Sequence, residues 1–361
     1  MSDDEKLKQI RDRIDRIDQQ LQALIVERAE AAQEVARVKL KENSTTVYYR
    51  PEREAEVLRR VKSRDTGPLD GEEMARLFRE IMSSCLALEQ TLKVAFLGPE
   101  GTFTQAAALK HFGHAVQSVS MASIPDVFRE VEAGACHYGV VPVENSTEGV
   151  ISHTLDTFLS SPLLICGEVS LRIEHNLLAR QDDISAIRKV YSHSQSLAQC
   201  RAWLDRHLPG VERIAVASNA EAARLAAEEP EAAAIAGNAA AEIHRLIPLA
   251  GNIEDEPGNT TRFLVIGKRD AAASGDDKTS LMFSTQNRAG GLHAMLSPFA
   301  RDGISMTRIE SRPSRRVQWD YVFFVDVAGH REDENLRKAL RELEQVAAQF
   351  KVLGSYPKAV L

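Results

Sequence analysis

The hydrophobic positions in the first part of the chain recur at helical spacing. From Leu7 to about Leu40, apolar residues return every three or four residues except at Arg28, with alanine at position 31, which predicts one long amphipathic helix. Its apolar stripe resembles the seam of a coiled coil, and a helix of this length cannot bury such a stripe alone. The stripe therefore needs another surface to pack against.

Two shorter helices are predicted after the long one. Pro51 suits the first turn of a helix that runs to about Arg64, because a proline there loses no hydrogen bond. Asp70, with an acidic residue three positions later, marks the start of a third helix that runs to about Leu92. Residues 1–92 are therefore predicted to form an all-α domain.

The rest of the chain divides into two further blocks. Residues 93–269 alternate short apolar strands with alanine-rich helices, which indicates an α/β domain. Residues 270–278, DAAASGDDK, are small and polar, and we interpret them as a linker that can act as a hinge. Residues 279–361 follow the order strand, helix, strand, strand, helix, strand, which is typical of an α+β ferredoxin-like domain. The chain is thus predicted to be multidomain.

Composition narrows the functional classes. The formal net charge of −7 argues against nucleic acid as a partner, because phosphate binding needs a positive surface. Met1 precedes an acidic stretch instead of a secretory signal, and no apolar run is long enough to span a bilayer, so a cytoplasmic protein without a membrane partner is expected. The four cysteines are widely spaced and fit no zinc pattern, so we expect buried, reduced thiols and no metal site.

One basic residue interrupts the apolar seam of the long helix. Counting in sevens from Leu7 places Arg28 at a seam position, where its guanidinium needs an anion. Lys39 lies eleven residues further on and is rotated by only about 20°, so both cations can face one pocket. Arg11 is about 25 Å from Arg28 along the helix and can reach that pocket only from a second chain. The spacing alone also fits an Arg28 that merely sets the register of a helical bundle.

The helical segment resembles a known enzyme domain. IRDRIDRIDQQLQALIVERAEAAQEVARVKLK, followed by YYRPEREAEVLRR, is similar to the chorismate mutase domain at the start of bifunctional chorismate mutase and prephenate dehydratase proteins. The resemblance implies an intertwined homodimer in which each site takes one residue from the partner. The implied chorismate-binding residues are Arg11, from the partner chain, with Arg28, Lys39, Arg53, Glu54, Cys85 and Glu89.

The implied mutase reaction is pericyclic and needs neither a covalent group nor a cofactor. Cations such as Lys39 must hold the reactive conformer of dianionic chorismate and stabilise charge on the breaking ether oxygen. Cys85 and Glu89 stand where the family often has Ser and Gln. Glu89 can donate to the ether oxygen only when it is protonated, and an apolar helix face beside a dianion favours that form.

Four dispersed motifs carry a second resemblance. GPEGTFT at 98–104, PVENSTEG at 142–149, YSHSQSLAQC at 191–200 and NTTRF at 259–263 follow the mutase-like segment in this order. Together they resemble the prephenate dehydratase domain, which implies two α/β subdomains around a cleft, similar to a periplasmic binding protein. The implied catalytic residues are Glu144, Asn145, Ser192, Gln199, Thr261 and Arg262.

These residues receive roles from the implied reaction. Prephenate loses carbon dioxide and a ring hydroxyl together, so the site must hold carboxylates and help hydroxide to leave. Thr261 is the family's favoured donor, and an unperturbed hydroxyl donates a strong hydrogen bond more readily than a free proton. Arg262 beside it is expected to supply positive potential, and Glu144 is the alternative acid if burial keeps it protonated. We interpret His153 and His193 as structural residues, and His175 and His244, which belong to no motif, as surface or core residues.

The last block resembles an ACT domain, a ferredoxin-like module that binds amino acids at a dimer interface. NRAGGLHAML places glycines where backbone N–H groups at a helix start can receive a carboxylate, and IESRP matches the phenylalanine-binding motif. The implied effector is phenylalanine, although the module can also serve for dimerisation alone. The implied effector-binding residues are Gly290, Gly291, Leu292, Glu310, Ser311, Arg312 and Pro313.

Together the resemblances imply a bifunctional enzyme of phenylalanine biosynthesis. Chorismate and prephenate are the expected substrates, phenylalanine is the expected feedback inhibitor, and no cofactor is expected. The expected assembly is a homodimer, with a tetramer left open. A mutase fused to prephenate dehydrogenase is disfavoured because the chain has no GxGxxG turn. A non-catalytic solute-binding protein would be distinguished by product formation, and the sequence does not separate prephenate from arogenate as the substrate.

Overall fold

The structure is a computed structural model, and it describes residues 2–42, 49–64, 66–285, 289–313 and 321–361. Within this set the side chains of residues 39–42 are not described. No helix of the described chain is both long enough and apolar enough to cross a membrane. The four cysteines are buried and unpaired, which confirms the prediction of buried, reduced thiols.

The N-terminal segment is helical, as predicted. Its helices are α1 (Asp3–Glu42), α2 (Pro51–Lys62) and α3 (Gly71–Ala87). Pro51 occupies the first turn of α2, and the Asp70 carboxylate caps α3 by accepting a hydrogen bond of 2.7 Å from the Glu73 N–H. Both features explain why the chain turns into a helix at these points.

Within one chain, the described residues leave most of the apolar stripe of α1 exposed. Its large side chains are at least two-fifths exposed over most of the helix, whereas Ala36 near its C-terminal end is buried. A soluble helix normally buries such a stripe. The exposed apolar residues are Leu7, Ile10, Ile14, Ile17, Leu21, Leu24, Ile25, Val26, Val35 and Val38.

The α/β block contains two mixed sheets with helices around them, and the first sheet has the order β2-β1-β3-β11-β5. Its strands are β1 (Lys93–Leu97), β2 (Gln117–Met121), β3 (Tyr138–Asn145), β5 (Leu164–Arg172) and β11 (Thr260–Gly267), with the short β4 (Gly149–Val150) paired to β3. Its helices are α4 (Phe103–Phe112), α5 (Ile124–Ala133) and α6 (Ser152–Phe158).

The second sheet has the order β10-β6-β9-β7-β8. Its strands are β6 (Asn176–Ala179), β7 (Lys189–His193), β8 (Glu212–Val216), β9 (Ala232–Ala236) and β10 (Ile247–Ala250). Its helices are α7 (Ser194–Gln199), α8 (Arg201–His207), α9 (Asn219–Glu228) and α10 (Asn238–His244).

Two chain crossings join these sheets, at residues 173–175 and 251–259. The crossings are hydrogen-bonded to each other: the Ile173 N–H donates to the Asn259 carbonyl and the Ile253 N–H donates to the His175 carbonyl, both at 2.8 Å. Each sheet has its own buried core. The predicted pair of α/β subdomains with a cleft between them is therefore confirmed.

The C-terminal block forms an antiparallel sheet of order β13-β14-β12-β15. Its elements are β12 (Asp277–Thr285), α11 (Gly291–Arg301), β13 (Met306–Pro313), β14 (Tyr321–Ala328), α12 (Glu334–Val346) and β15 (Gln349–Pro357). This order confirms the predicted ferredoxin-like fold. The first strand begins at Asp277, two residues earlier than expected, because Asp277 already pairs with Pro357.

The C-terminal sheet shares a hydrophobic core with the first α/β sheet. Phe324 and Tyr356 belong to the same buried cluster as Phe158 and Leu264. Gly354 in β15 lies so close to the backbone of Ile165 in β5 that a Cβ at this position would overlap the Ile165 carbonyl oxygen. The contact between the two domains is therefore a packed interface.

The linker between these domains is held along its length. The Arg59 guanidinium on α2 donates to the carbonyl oxygens of Ser274 and Asp276, at 3.1 and 2.6 Å. At the other end, Asp270 pairs with Arg331 and accepts a hydrogen bond from the Ser355 N–H. Side chains distant in sequence thus contact both ends of a segment whose composition suggests flexibility, so any hinge movement there would have to break these contacts.

Candidate active sites

A cleft of about 250 Å³ lies between the two α/β sheets. Thr261 and Phe263 on β11 and Asn145 on β3 contribute one wall, and the start of α9 contributes another. Thr261 and Phe263 are two positions apart in one strand, so their side chains point to the same face. The predicted residues Asn145, Gln199 and Thr261 all line this cleft.

Asn145 fixes the orientation of the Thr261 hydroxyl. The Asn145 Oδ1 atom accepts hydrogen bonds from the backbone N–H groups of Thr147 and Glu148, at 3.0 and 2.9 Å. Because a backbone N–H can only donate, the other end of the amide must be Nδ2, which donates to Thr261 Oγ1 at 2.8 Å. The Thr261 oxygen thus accepts from Asn145, and its own hydrogen is available to donate elsewhere.

Gln199 ties both subdomains to the chain crossings. Its Oε1 atom is 2.8 Å from Nε2 of His175 and accepts from Asn259 Nδ2 at 3.3 Å, while its Nε2 donates to Glu148 at 3.2 Å. Asn145 Nδ2 also donates to Asn259 Oδ1 at 2.7 Å. A continuous hydrogen-bond network therefore runs from His175 through Gln199 and Asn259 to Asn145, and from there to the Thr261 hydroxyl.

The cleft contains residues that the sequence analysis had not assigned to it. His175, expected to be a surface or core residue, lines the cleft, and burial lowers the pKa of its imidazole. His193 also lines the cleft and caps α7 through Nδ1. Glu148 belongs to the PVENSTEG motif and Asn259 to the NTTRF motif, but neither was predicted as a site residue. The only signal for them was proximity in sequence to Asn145 and Thr261.

Ser192 is adjacent to the cleft but does not open into it. Its side chain is fully buried, and its hydroxyl lies 2.8 Å from the Ile235 carbonyl and 3.0 Å from Asn219 Oδ1. Asn219 itself lines the cleft. Ser192 can therefore orient Asn219, but it does not reach the space that a substrate would occupy.

Arg262 and Glu144 point away from the cleft, which corrects their expected roles. Each is next in sequence to a cleft residue, and neighbouring residues of a strand point to opposite faces. The Arg262 guanidinium is bound by Glu168 and by Asp326 of the C-terminal sheet, at 2.8 and 2.6 Å. Glu144 lies 3.1 Å from Arg308. Neither Arg262 as a cleft cation nor Glu144 as a cleft acid is supported.

Consequently the cleft contains little formal positive charge. Among the described residues that line it, none is lysine or arginine. The remaining donors are neutral side chains and the backbone N–H groups at helix starts, where Thr102 caps α4 and Ser218 caps α9. Such starts favour anions through their free N–H groups and the helix dipole.

The predicted mutase residues do not come together in one chain. Arg11 is exposed and Arg28 half-buried on the same helix, about 25 Å apart at 1.5 Å rise per residue. The Lys39 side chain lies outside the described residues. Cys85 is buried on α3, and Glu89 is half-buried in the turn that follows α3.

The α2 residues of the predicted mutase site contact their own chain. Arg53 is exposed and pairs with Glu56 at 2.6 Å. Glu54 pairs with the buried Arg79 of α3. Burial also raises the pKa of the adjacent Tyr49 hydroxyl, which lies 2.9 Å from His111 on α4. This cluster joins the mutase-like helices to the α/β domain.

The predicted effector residues occupy two places on the C-terminal domain. Gly290 precedes α11 with a φ of 74°, a conformation that favours glycine, and Gly291 and Leu292 form the helix start. Glu310, Ser311, Arg312 and Pro313 lie on the edge strand β13. The Arg312 guanidinium points to the α/β domain, where it donates to Ser152 Oγ at 2.7 Å and approaches Asp156 at 3.3 Å.

Family models match the three blocks in turn. Residues 10–90 match chorismate mutase type II, residues 94–271 match prephenate dehydratase, and residues 279–345 match the ACT domain. The solved structure of a prephenate dehydratase from Arthrobacter aurescens, in complex with L-Phe, aligns with a TM-score of 0.69 and 33% identity, covering 74% of this chain and 90% of that one.

Relatives match the chain over its whole length. The bifunctional chorismate mutase/prephenate dehydratase of Pseudomonas aeruginosa is 58% identical over 365 residues, covering 100% of both chains. That of Escherichia coli K12 is 32% identical over 383 residues, covering 99% of this chain and 97% of the relative. With this coverage and the three domain matches, the chain belongs to the family of bifunctional chorismate mutase/prephenate dehydratases with a C-terminal ACT domain.

Proposed function

We propose that this protein converts chorismate to prephenate and prephenate to phenylpyruvate, and that phenylalanine inhibits the second step. The observation that carries the proposal is the Asn145–Thr261 pair, which presents a hydroxyl donor in a cleft between two subdomains. We further propose that the enzyme works in the cytoplasm as a homodimer. The predicted division into residues 1–92, 93–269 and 279–361, with a linker at 270–278, is kept as part of this proposal.

The dehydratase step needs a donor for the departing hydroxyl. The carboxylate on the ring leaves as carbon dioxide, and its bonding electrons complete the aromatic ring as the C–O bond breaks. With one proton taken up, prephenate yields phenylpyruvate, carbon dioxide and water. The Thr261 hydrogen, freed by the Asn145 contact, donates to the departing oxygen and stabilises the charge that develops there.

The substrate carboxylates need partners other than Arg262. The starts of α4 and α9, both at the cleft wall, offer backbone N–H groups for this purpose. Gln199 and Asn259 hold the two subdomains in register around the substrate.

The mutase step requires two chains. The uncovered stripe of α1 supports pairing with a second α1, which would bury the exposed apolar side chains and bring Arg11 of the partner subunit to Arg28. The cationic side chains of Arg28, Lys39 and Arg53 would then bind the two carboxylates of chorismate. Glu89 would donate to the ether oxygen in its protonated form, so Glu89→Gln should remove any loss of mutase activity at higher pH.

Feedback inhibition would act through the C-terminal domain. The start of α11 and the segment from Glu310 to Pro313 would receive phenylalanine between two such domains. The Arthrobacter relative was solved with L-Phe, which supports the choice of effector. No residue of this domain lines the cleft among those described, so the effect must pass through the domain interface.

A single experiment tests both activities. Purified protein is incubated with chorismate, and prephenate and phenylpyruvate are followed by mass spectrometry, with prephenate and arogenate supplied separately as substrates. Sequential appearance of both products supports the proposal. Accumulation of prephenate alone would limit the enzyme to the mutase step, and phenylalanine formed from arogenate would change the substrate of the dehydratase.

A further inference from the structure

The two strands that carry the catalytic pair present a second pair on their opposite face. β3 and β11 are antiparallel neighbours, with Thr261 opposite Asn145 and Arg262 opposite Glu144. The first pair lines the cleft. Because side chains alternate along a strand at about 3.3 Å per residue, the second pair faces away from it, towards the C-terminal sheet.

Arg262 is bound by both domains at once. Its Nε donates to Glu168 of β5 at 2.8 Å, its Nη1 to Asp326 of β14 at 2.6 Å and its Nη2 to the Tyr356 hydroxyl of β15 at 3.0 Å. Lys278 of β12 also contacts Glu168, at 2.7 Å. Every nitrogen of the guanidinium thus has a partner, which fixes its position in three directions.

The charges of this cluster depend on one another. Burial opposes the ionisation of Asp326, yet the Arg262 guanidinium holds the pKa of that carboxyl below its ordinary value. Asp326 also accepts from Ser280 Oγ at 2.6 Å. A buried ion pair of this kind tolerates little displacement, since separating the charges leaves each of them without solvent or partner.

A second contact connects Glu144 on β3 to Arg308 on β13, the strand that carries the proposed phenylalanine-binding segment. Glu144 Oε2 lies 3.1 Å from Nε of Arg308 on β13, although the Nε–H is not aligned for a hydrogen bond. The contact is therefore an ion pair. Arg308 is four residues before Arg312, whose guanidinium binds Ser152. The edge strand that carries the proposed effector segment thus contacts the α/β domain at two points.

We propose that Arg262 and Glu144 are positioning residues through which the C-terminal sheet holds Thr261 and Asn145 in place. Movement of β13 or β14 on effector binding would pull these side chains and displace the catalytic pair, which lies one residue away on the same strands. The inference rests on the proposed inhibition by phenylalanine. It also predicts an effect without effector, because the strands need their anchors to hold the hydroxyl accurately.

The first test separates effector binding from effector response. Phenylalanine binding is measured by calorimetry, and its effect on dehydratase kcat/KM is measured in Arg308→Gln, in Glu144→Gln and in the double variant. In the wild type we expect saturating phenylalanine to lower kcat/KM by roughly 5- to 150-fold. In all three variants we expect phenylalanine still to bind but to lower kcat/KM by about twofold or less. The double variant should lose no more of this inhibition than either single variant, because both changes remove the same contact.

A matched control is available within the same domain. Glu342→Gln removes an ion pair with Arg301, 2.8 Å long, between the helices of the C-terminal domain. It should keep the wild-type response. Mutase activity reports that each variant is folded, and the exchanged pair Glu144→Arg with Arg308→Glu should regain part of the response. Wild-type inhibition in both Arg308→Gln and Glu144→Gln, with phenylalanine bound, would overturn the proposal for this contact.

The second test needs no effector and so stands if the regulatory proposal fails. Asp326→Asn keeps the shape of the side chain but removes one of the two negative charges that hold Arg262, the other being that of Glu168. We expect dehydratase kcat to fall by about tenfold, with KM changed much less, because a displaced Thr261 weakens transition-state contacts more than substrate binding. Mutase activity should not change. An unaltered kcat would show that Arg262 does not position the hydroxyl, whereas absence of phenylalanine binding in the wild type would refute only the effector assignment.

Discussion

The dehydratase cleft and the mutase helices differ in how much of each site a single chain supplies. In the cleft, Asn145, Gln199 and Thr261 meet through hydrogen bonds between segments more than fifty residues apart. On the mutase side, Arg11 and Arg28 lie on one helix and point to no common pocket. The sheet brings distant residues together by strand pairing, whereas a single straight helix keeps its residues apart.

The two regions also differ in how their apolar surfaces are covered. The C-terminal domain covers the first α/β sheet, and the two share a buried cluster. The stripe of α1 remains exposed. A covered sheet can hold a site rigidly within one chain, whereas the proposed dimer would have to cover the stripe and complete the second site. Mutations should therefore affect the two activities separately.

The largest difference between the effects on dehydratase and mutase activity is expected from Thr261→Ala. Losing one positioned donor should lower dehydratase kcat by about two to four powers of ten, because the departing hydroxyl loses its hydrogen bond. Mutase activity should be retained, since none of the predicted mutase residues lies on β11 and none of those described lines the cleft. Steady-state assays of both reactions measure the effect. Thr260→Ala, next to it on β11 and outside the cleft lining, is the matched control and should stay near wild-type activity.

The second prediction tests whether the mutase site needs Arg11 from a second chain. Arg11→Ala and Arg28→Ala chains should each be inactive alone. After the two are unfolded and reassembled together, half of the dimers are mixed, and each mixed dimer holds one intact site of two. Recovery of about one quarter of wild-type mutase activity is therefore expected for a two-fold symmetric dimer. Reassembled mixtures that stay inactive would place Arg11 and Arg28 outside a shared site.

The periodic parts of the fold were predictable from sequence alone. The three- and four-residue spacing from Leu7 predicted α1, and the strand and helix order predicted the ferredoxin-like sheet, because burial imposes a local period on apolar positions. The alternation of strand side chains would also have separated Thr261 from Arg262. The two residues are adjacent in one motif, but a strand places adjacent side chains on opposite faces.

Other features depended on contacts that leave no local pattern. Arg59 holds a linker 215 residues away, and small polar residues there look flexible in the sequence. His175 reaches the cleft because two chain crossings place it there, and no motif surrounds it. Ser192, although within a motif, is covered by its neighbours. Long-range packing determines where such residues lie, so their positions cannot be predicted from a single sequence.

A smaller effect should follow from disturbing the covered interface. A methyl group at Gly354 would overlap the Ile165 carbonyl oxygen, so Gly354→Ala must push the C-terminal sheet away from β5. We expect the free energy of unfolding to fall by about 1–3 kcal/mol, as for other overpacked sites. Gly303 also has a positive φ, but a Cβ added there would meet no atom within 4 Å. Gly303→Ala therefore controls for backbone strain. If urea denaturation showed equal losses of unfolding free energy in Gly354→Ala and Gly303→Ala, backbone strain and not the interface would cause the effect.

The smallest effect is expected from pH, at the place where the mutase helices do contact the α/β domain. His111 is buried beside Tyr49, and burial together with the nearby Arg79 guanidinium holds the pKa of its imidazole well below the usual value. The folded chain therefore keeps this ring neutral, whereas the unfolded chain binds a proton below about pH 6.5. The stability that His111 contributes is present above that pH and is lost as the pH falls, by at most about 1.4 kcal/mol per pH unit.

We therefore expect His111→Gln to flatten the acid loss of stability. Urea denaturation at about pH 7, 6 and 5 should show a free energy of unfolding that falls less steeply in His111→Gln than in the wild type. His207→Gln replaces an exposed histidine and should keep the wild-type slope. If His111→Gln and His207→Gln gave the same slope, protonation of His111 on unfolding would not be the cause. A flatter slope in His111→Gln alone would mean that acid weakens the junction beside the mutase helices through this ring.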